Sequence, residues 1–133
     1  MKTPIRSNLM LVGLLAASLA RADTLDGLLA EYKSEGAGPF DTRAGAALWQ
    51  RKFPSADGAP RACTSCHTSD LTKPGRHAGT GKAIEPLAPS ANAKRLTDRR
   101  QIEKWLKRNC KWTLGRECTA QEKGDLLSFL RSQ

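Results

Sequence analysis

Apolar residues recur every three to four positions in two short segments of the N-terminal half, which is the spacing of an amphipathic helix. The first segment covers residues 24–34, and glycines and a proline end it. The second runs from a cap at Asp41 or Thr42 to Arg51. The apolar positions are Leu25, Leu28, Leu29 and Tyr32 in the first segment and Ala44, Ala47 and Leu48 in the second. Both segments therefore predict helices with one buried face.

Two more helices are predicted in the C-terminal third. Asp98, followed by Gln101, can cap the third helix, which ends before a turn over residues 112–116. Thr119 and Glu122 form a capping box that begins the last helix. The residues expected to point inward are Ile102, Trp105, Leu106 and Cys110 in the third helix, and Leu126, Leu127, Phe129 and Leu130 in the last.

The remaining chain favours loops over strands. Residues 68–91 are rich in Gly, Pro and Lys, and a loop this long in a small domain usually wraps around something. No segment alternates between apolar and polar residues for long enough to predict a strand. We therefore predict an all-α fold of three or four helices with long loops.

The first 22 residues have the layout of a secretory signal peptide. Lys2 and Arg6 precede a short apolar run over residues 9–17, and small residues flank Arg21. The run is too short to span a bilayer, which takes about 20 residues, although an uncleaved N-terminal anchor is the alternative. The prediction is a cleaved leader, 1–22, and one exported domain, 23–133, in the periplasm. Both methionines of the 133-residue chain, Met1 and Met10, lie in that leader.

The most informative motif is Cys63-Thr64-Ser65-Cys66-His67. A C-x-x-C-H run in an exported protein predicts covalent haem attachment. Two thiols three positions apart on one turn can both form thioethers with the haem vinyl groups, and the following histidine then supplies an axial nitrogen. A zinc site would need four ligands, a thioredoxin-like pair would need strands around it, and a plain Cys63–Cys66 disulfide would leave His67 unexplained. One haem c held by Cys63, Cys66 and His67 is therefore the predicted cofactor.

The residues leave more than one candidate for the ligand on the other side of the iron. Residues 23–133 contain no methionine, which excludes the usual sulfur ligand. His77 follows His67 closely and would have to reach the opposite face, and a surface loop position suits it better. Asn109 is a weak oxygen donor at the predicted end of the third helix, where an asparagine is also common as a helix terminus. Cys110 and Cys118 remain once the motif holds haem, and spare thiols in an exported domain should pair.

Several segments between Cys63 and Phe129 resemble the SHP (sphaeroides haem protein) family of high-spin cytochromes c. Arg108-Asn109-Cys110 and Gly115-Arg116-Glu117-Cys118 are more specific than the C-x-x-C-H motif. The matching segments are 63–67, 80–82, 86–90, 103–106, 108–110, 114–119 and 122–125.

This resemblance implies a class I cytochrome c fold, His67 as proximal ligand, Asn109 as distal ligand and a Cys110–Cys118 disulfide. It also implies that Asn109 leaves the iron on reduction, so that the ferrous site binds oxygen, nitric oxide or carbon monoxide. A diheme cytochrome c is the electron donor that the family implies. Gly45 and Phe129 resemble the pair at which two helices cross in small cytochromes, where a glycine lets an aromatic ring and a backbone approach closely.

The net charge is +9, with 22 Lys and Arg against 13 Asp and Glu. Eight of the basic residues fall between Lys94 and Lys111, either as a solvated helix face or as a docking surface for an acidic redox partner. Nucleic-acid binding and stable membrane insertion are not expected.

Taken together, the motif, the leader and the family resemblance predict an exported, gas-binding c-type cytochrome. The alternatives are a six-coordinate electron carrier and a haem enzyme that converts oxygen or nitric oxide, although no acid–base pair for catalysis can be assigned.

Overall fold

The computed structural model describes residues 19–133, and it is built from four α-helices with one small hairpin. The helices are α1 (Leu19–Ser34), α2 (Thr42–Gln50), α3 (Arg99–Leu114) and α4 (Ala120–Arg131). The strands β1 (Gly75–Arg76) and β2 (Ala83–Ile84) pair antiparallel, and a 3₁₀ turn covers Cys63–Ser65. The predicted all-α fold is thus confirmed. The segment 68–91, which was predicted to be a loop throughout, differs in one detail, because two strands of two residues each form a hairpin in its middle.

The predicted caps form as the sequence indicated. The Asp41 carboxylate accepts the backbone N–H of Arg43 at 2.7 Å at the start of α2. Asp98 caps α3 by accepting the backbone N–H of Gln101 at 3.1 Å. Thr119 and Glu122 make both hydrogen bonds of the capping box at α4, which satisfies backbone donors that the first helical turn leaves free.

Two hydrophobic clusters hold the helices together. α1 buries the face that was predicted for it and packs on α3 and α4. This first cluster consists of Leu25, Leu28, Leu29, Tyr32, Ile102 and Leu127. The second cluster lies between α2, α3, α4 and the loops that follow α2, and it consists of Leu48, Trp49, Leu71, Ala88, Cys110, Cys118, Leu126 and Phe129. The second cluster also contacts Cys63, so it connects the core to the C-x-x-C-H motif.

The predicted crossing of α2 and α4 is confirmed at Gly45. A Cβ atom on Gly45 would lie 2.6 Å from the backbone carbon of Asp125 and 2.8 Å from Cβ of Phe129. The helices are therefore in backbone contact at this point. The carboxylate of Asp125 is buried beside it, where it accepts the backbone N–H of Asp41 at 2.7 Å and a side-chain N–H of Gln121 at 2.9 Å.

Four details of the helix predictions were wrong, and the first is that α1 begins at Leu19 rather than at residue 24. Ala44 and Ala47 are exposed, because the close crossing turns Gly45, Leu48 and Trp49 toward α4 instead. α3 continues to Leu114 rather than ending at a turn from residue 112, and Gly115 ends it in the left-handed conformation at φ 75°.

Trp105 is 45% exposed, although the sequence pattern predicted it to point inward. The neighbours that α3 does bury are Ile102, Cys110 and Thr113.

The predicted signal peptide lies almost entirely outside the described residues. Its last four positions, 19–22, form the first turn of α1. Within residues 19–133, no helix combines the length and the apolar character needed to cross a membrane.

Candidate haem-attachment site

The C-x-x-C-H motif winds into one tight turn. The Cys63 carbonyl accepts the backbone N–H of Cys66 at 3.3 Å and of His67 at 3.0 Å, and the hydroxyl of Ser65 accepts the N–H of Ala62 at 3.0 Å. Cys63 and Cys66 are free thiols rather than a disulfide. Burial raises the pKa of the Cys63 thiol to about 11, so it stays protonated at neutral pH. The motif therefore brings two cysteine side chains and an imidazole together within one turn.

His67 lies against the buried indole of Trp49, with the ring centroids 5.4 Å apart. Burial, and then the positive charge of Arg95, lower the pKa of His67 to about 4. The imidazole is consequently neutral at physiological pH, which is the form that binds a metal. Trp49 Nε1 is a buried donor with no hydrogen-bond partner among the described residues, so a bound group with an acceptor oxygen would suit this position. These features fit a haem.

The hairpin holds the motif from one side. The backbone N–H of Arg76 donates to the Cys66 carbonyl at 2.7 Å, and the N–H of Ala78 donates to Cys66 Sγ at 3.3 Å. Gly75 allows this contact, because a Cβ there would lie 3.1 Å from the Cα of His67 and closer still to the Cys66 carbonyl oxygen. The loop that was predicted to wrap around something thus packs directly on the attachment turn.

His77 lies in the turn of this hairpin and is exposed. Its Nδ1 atom accepts the backbone N–H groups of Gly79 and Thr80, both at 3.1 Å. These two bonds hold the ring on the turn, and its exposure favours the surface-loop interpretation of His77 over a second axial ligand.

A disulfide joins Cys110 in α3 to Cys118, just before α4, with Cα atoms 5.5 Å apart. This is the pair that the resemblance implied. Asn109 comes immediately before Cys110, but it lies within α3, five residues before the helix ends, and its side chain is exposed. It was predicted at the helix end, and the extra turn to Leu114 explains the difference. Its role as an iron ligand stays a prediction.

Asn109 shares one side of α3 with two exposed aromatic residues. Trp105 lies four residues before it and Trp112 three residues after it, and neighbours at these spacings lie on one face of a helix. Trp105 is 45% exposed and Trp112 36% exposed. We call these three residues the tryptophan face. It lies beside the buried stripe of Ile102 and Cys110, so the apolar arc of α3 is wider than the part that the protein itself covers.

Sequence reasoning missed two residues that shape the site. Arg95 was placed only in the basic segment, but it donates to the carbonyls of Pro86 and Glu85, both at 2.8 Å, and its charge acts on His67. Gly75 was taken only as a loop residue. Neither carries a local signal, because each acts on a segment distant in sequence. Among residues 19–133, no group of three or more His, Cys, Asp or Glu side chains could hold a metal ion, as a zinc site would require.

Comparison with known proteins assigns the family. Residues 35–130 match a domain of unknown function, DUF1924. The chain is 41% identical to cytochrome c-type protein SHP of Cereibacter sphaeroides over 126 residues, which cover 94% of this chain and 97% of that protein. The chain belongs to the SHP family of c-type cytochromes.

Solved structures place the fold in the same family. Oxidized SHP, described as an oxygen-binding cytochrome c, is 43% identical and superposes with a TM-score of 0.74 over 82% of this chain and 96% of that chain. Oxidized cytochrome c'' of Methylophilus methylotrophus is 32% identical, with a TM-score of 0.72 over 83% of this chain and 94% of that chain. The SHP resemblance and the cytochrome fold predicted from the sequence are therefore confirmed.

Proposed function

We propose that this protein is an exported monohaem cytochrome c of the SHP family that accepts one electron and then binds a diatomic gas. The observation that carries the proposal is the single turn that brings Cys63, Cys66 and a neutral His67 together. The solved SHP structure, described as an oxygen-binding cytochrome c, supports the gas ligand. When bound, haem c supplies an iron that takes up one electron and, when ferrous, binds oxygen, nitric oxide or carbon monoxide.

In this proposal the motif holds the haem covalently. The S–H groups of Cys63 and Cys66 would add across the two vinyl groups of the haem, so that each sulfur would form a thioether and each proton would go to carbon. His67 supplies the proximal nitrogen, and its neutrality means that no proton has to leave before it binds iron. The hairpin at Gly75 and the indole of Trp49 keep the imidazole in place.

Asn109 is the proposed distal ligand. An amide oxygen is a hard, neutral donor that suits ferric iron better than ferrous iron, so it is expected to leave when an electron arrives. Its place on the tryptophan face, at the edge of the buried stripe of α3, supports this role. The solution structure of cytochrome c'' was interpreted in terms of haem-ligand detachment, and that relative lends support by analogy.

The electron donor in this proposal is an acidic cytochrome, in keeping with the diheme cytochrome c that the family implies. Three exposed cations of α3, Arg100, Lys104 and Arg108, make no ion pair with any side chain in residues 24–133. Carboxylates partly neutralise Arg99, Lys107 and Lys111. The positive charge of the helix that remains unpaired is therefore on Arg100, Lys104 and Arg108. Reduction by the donor should therefore slow as salt rises. A rate independent of salt would refute the docking surface.

The proposed localisation is the periplasm, after cleavage of residues 1–22. The Cys110–Cys118 disulfide supports it, because such bonds persist in oxidising compartments. Mass spectrometry of the exported protein should give a chain that begins at Asp23, and a chain that begins at Met1 would refute cleavage.

The test of the function is absorption spectroscopy of the haem-loaded protein in both oxidation states, with and without carbon monoxide. The ferrous protein should bind carbon monoxide at once. Asn109→Met should give a low-spin ferrous form that binds it slowly, because a thioether stays on ferrous iron. His77→Ala is the matched control and should behave like the wild type.

Three outcomes would contradict the proposal. Low-spin iron in both states that ignores carbon monoxide indicates a plain electron carrier. Unchanged gas binding in Asn109→Met shows that Asn109 does not cover the iron. A colourless product from cells that mature c-type cytochromes refutes haem attachment altogether.

A further inference from the structure

Arg61 connects the attachment segment to α3. Its guanidinium lies over the indole of Trp112, 4.5 Å from the ring centroid, and Nη1 donates to the Trp112 carbonyl at 3.2 Å. Nη2 pairs with the carboxylate of Asp57 at 2.6 Å. The backbone of Arg61 is fixed as well, because it exchanges two hydrogen bonds with Phe53, at 2.7 and 2.8 Å. The Arg61 side chain thus connects the segment before Cys63 to α3, and the backbone bonds to Phe53 hold Arg61 in place.

The contact also satisfies the end of α3. The last carbonyl groups of a helix have no partner within it, and they carry partial negative charge. The Lys111 carbonyl is taken by the N–H of Gly115, whereas the Trp112 carbonyl accepts from Arg61. A cation at this end of a helix is favourable for the same reason. The Arg61 side chain therefore contacts α3 at its last turn, and this contact fixes the C-terminal end of the helix.

The position of the bridge links the two sides of the proposed iron site. Arg61 lies two residues before Cys63, and Trp112 lies three residues after Asn109 on the tryptophan face. Among residues 19–133, it is the only hydrogen bond between the segment 61–67 and α3. The disulfide cannot replace it, because Cys110–Cys118 joins α3 to the start of α4 rather than to the motif.

We propose that Arg61 is a positioning residue that holds Asn109 at the distance from the haem-bearing turn at which its amide covers ferric iron. This inference rests on the proposed function. Loss of the guanidinium would leave the end of α3 free to move away from the motif, so that Asn109 covers the iron for a smaller fraction of the time. An external ligand would then reach the ferric iron more readily.

The test is imidazole binding to the ferric, haem-loaded full chain, followed by stopped flow. Arg61→Gln should raise the association rate by on the order of fivefold, the effect that one partly exposed cation–π contact and one charged hydrogen bond support. Trp112→Leu removes the indole but keeps the carbonyl, and it should change the rate in the same direction. Two variants serve as controls and should bind imidazole like the wild type: Asp57→Asn, which leaves the Trp112 contact in place, and Arg43→Gln, which removes an exposed charge from α2.

A double-mutant comparison separates positioning from general loosening. Asn109→Ala should itself speed imidazole binding, and Arg61→Gln should add nothing in that background. Amide hydrogen exchange at residues 112–116 should rise in Arg61→Gln with Asn109 present or absent, because the contact with the helix end is lost either way.

Three results are decisive against the inference. If Asn109→Ala speeds binding and Arg61→Gln does not, the positioning role of Arg61 is refuted while the proposed function stands. If Asn109→Ala has no effect, the distal role of Asn109 is refuted, and the positioning role with it. Equal acceleration by Arg61→Gln in the Asn109→Ala background would show that Arg61 loosens the site without acting through Asn109.

Discussion

Gly45→Ala tests the contact on which the position of the C-x-x-C-H turn depends. α2 carries Gly45 and, four residues later, Trp49, whose indole packs on His67. A methyl group at Gly45 would lie 2.6 Å from a backbone carbon of Asp125 and 2.8 Å from Cβ of Phe129. Neither atom is the end of a flexible side chain, so α2 and α4 would have to separate.

The magnitude follows from two opposing effects. Overpacking of a rigid contact costs about 1–3 kcal/mol, and a contact between backbones belongs at the upper end of that range. Replacement of glycine by alanine within a helix returns about 1 kcal/mol. The net loss in the free energy of unfolding is therefore about 2 kcal/mol, which lowers the Tm of a domain of this size by roughly 8 °C.

The assay is thermal and urea unfolding of the oxidised, haem-loaded protein, with Gly27→Ala as the matched control. Gly27 is also helical, and a Cβ there would meet nothing within 4 Å, so the control should gain about 0.5–1 kcal/mol. The two substitutions are chemically identical and should have opposite signs. If Gly45→Ala is as stable as the wild type, the close crossing of α2 and α4 is refuted.

Three further predictions concern the hairpin, a cap and the disulfide. Gly75→Ala should reduce the yield of haem-loaded protein, whereas Gly79→Ala, whose Cβ would make an ordinary 3.5 Å contact, should not; equal yields would contradict the hairpin contact. The pKa of Glu122 is lowered from 4.5 to about 2, first by a hydrogen bond from a neighbouring arginine, so its stabilisation is present above pH 4.5 and lost as pH falls toward 2. In urea unfolding between pH 6 and 2, the difference in the free energy of unfolding between the wild type and Glu122→Gln should therefore decrease as the pH falls. A difference that does not change with pH would count against the ion pair. Replacement of Cys110 and Cys118 by serine should lower the free energy of unfolding by about 2–3 kcal/mol and shift the ferric spectrum, and an unchanged urea midpoint and spectrum would contradict this.

Features that depend on residues close in sequence could be predicted well. The caps of α2, α3 and α4 each involve a side chain and a backbone N–H two or three residues apart, so the sequence contains the whole interaction. The attachment turn is similar, because its two thiols and its imidazole lie within five consecutive residues. Local chemistry therefore indicated both the helix starts and the proximal side of the candidate site.

Features that depend on distant contacts were predicted less well. Ala44 and Ala47 match the helical period as well as Leu48 does, but α4 selects the face that contains Gly45, and only the packed structure reveals that choice. Arg61 has no signal in the sequence beyond its charge. Its role depends on Trp112, which lies 51 residues further along the chain.

Trp105 shows why a correct helix prediction still misplaced a residue. Periodicity identifies which residues of α3 form its apolar arc, but it does not identify what each part of that arc contacts. Ile102 and Cys110 lie in the half that the protein buries, whereas Trp105 and Trp112 lie in the half that it leaves exposed, and Asn109 belongs to the second half. The combination of two tryptophans and an amide is unusual for a face that meets only water, because of the tryptophans, and for a face in a protein core, because of the amide. It suits a face that packs on a flat apolar group with a metal at its centre, which is the environment that the proposed function assigns to it.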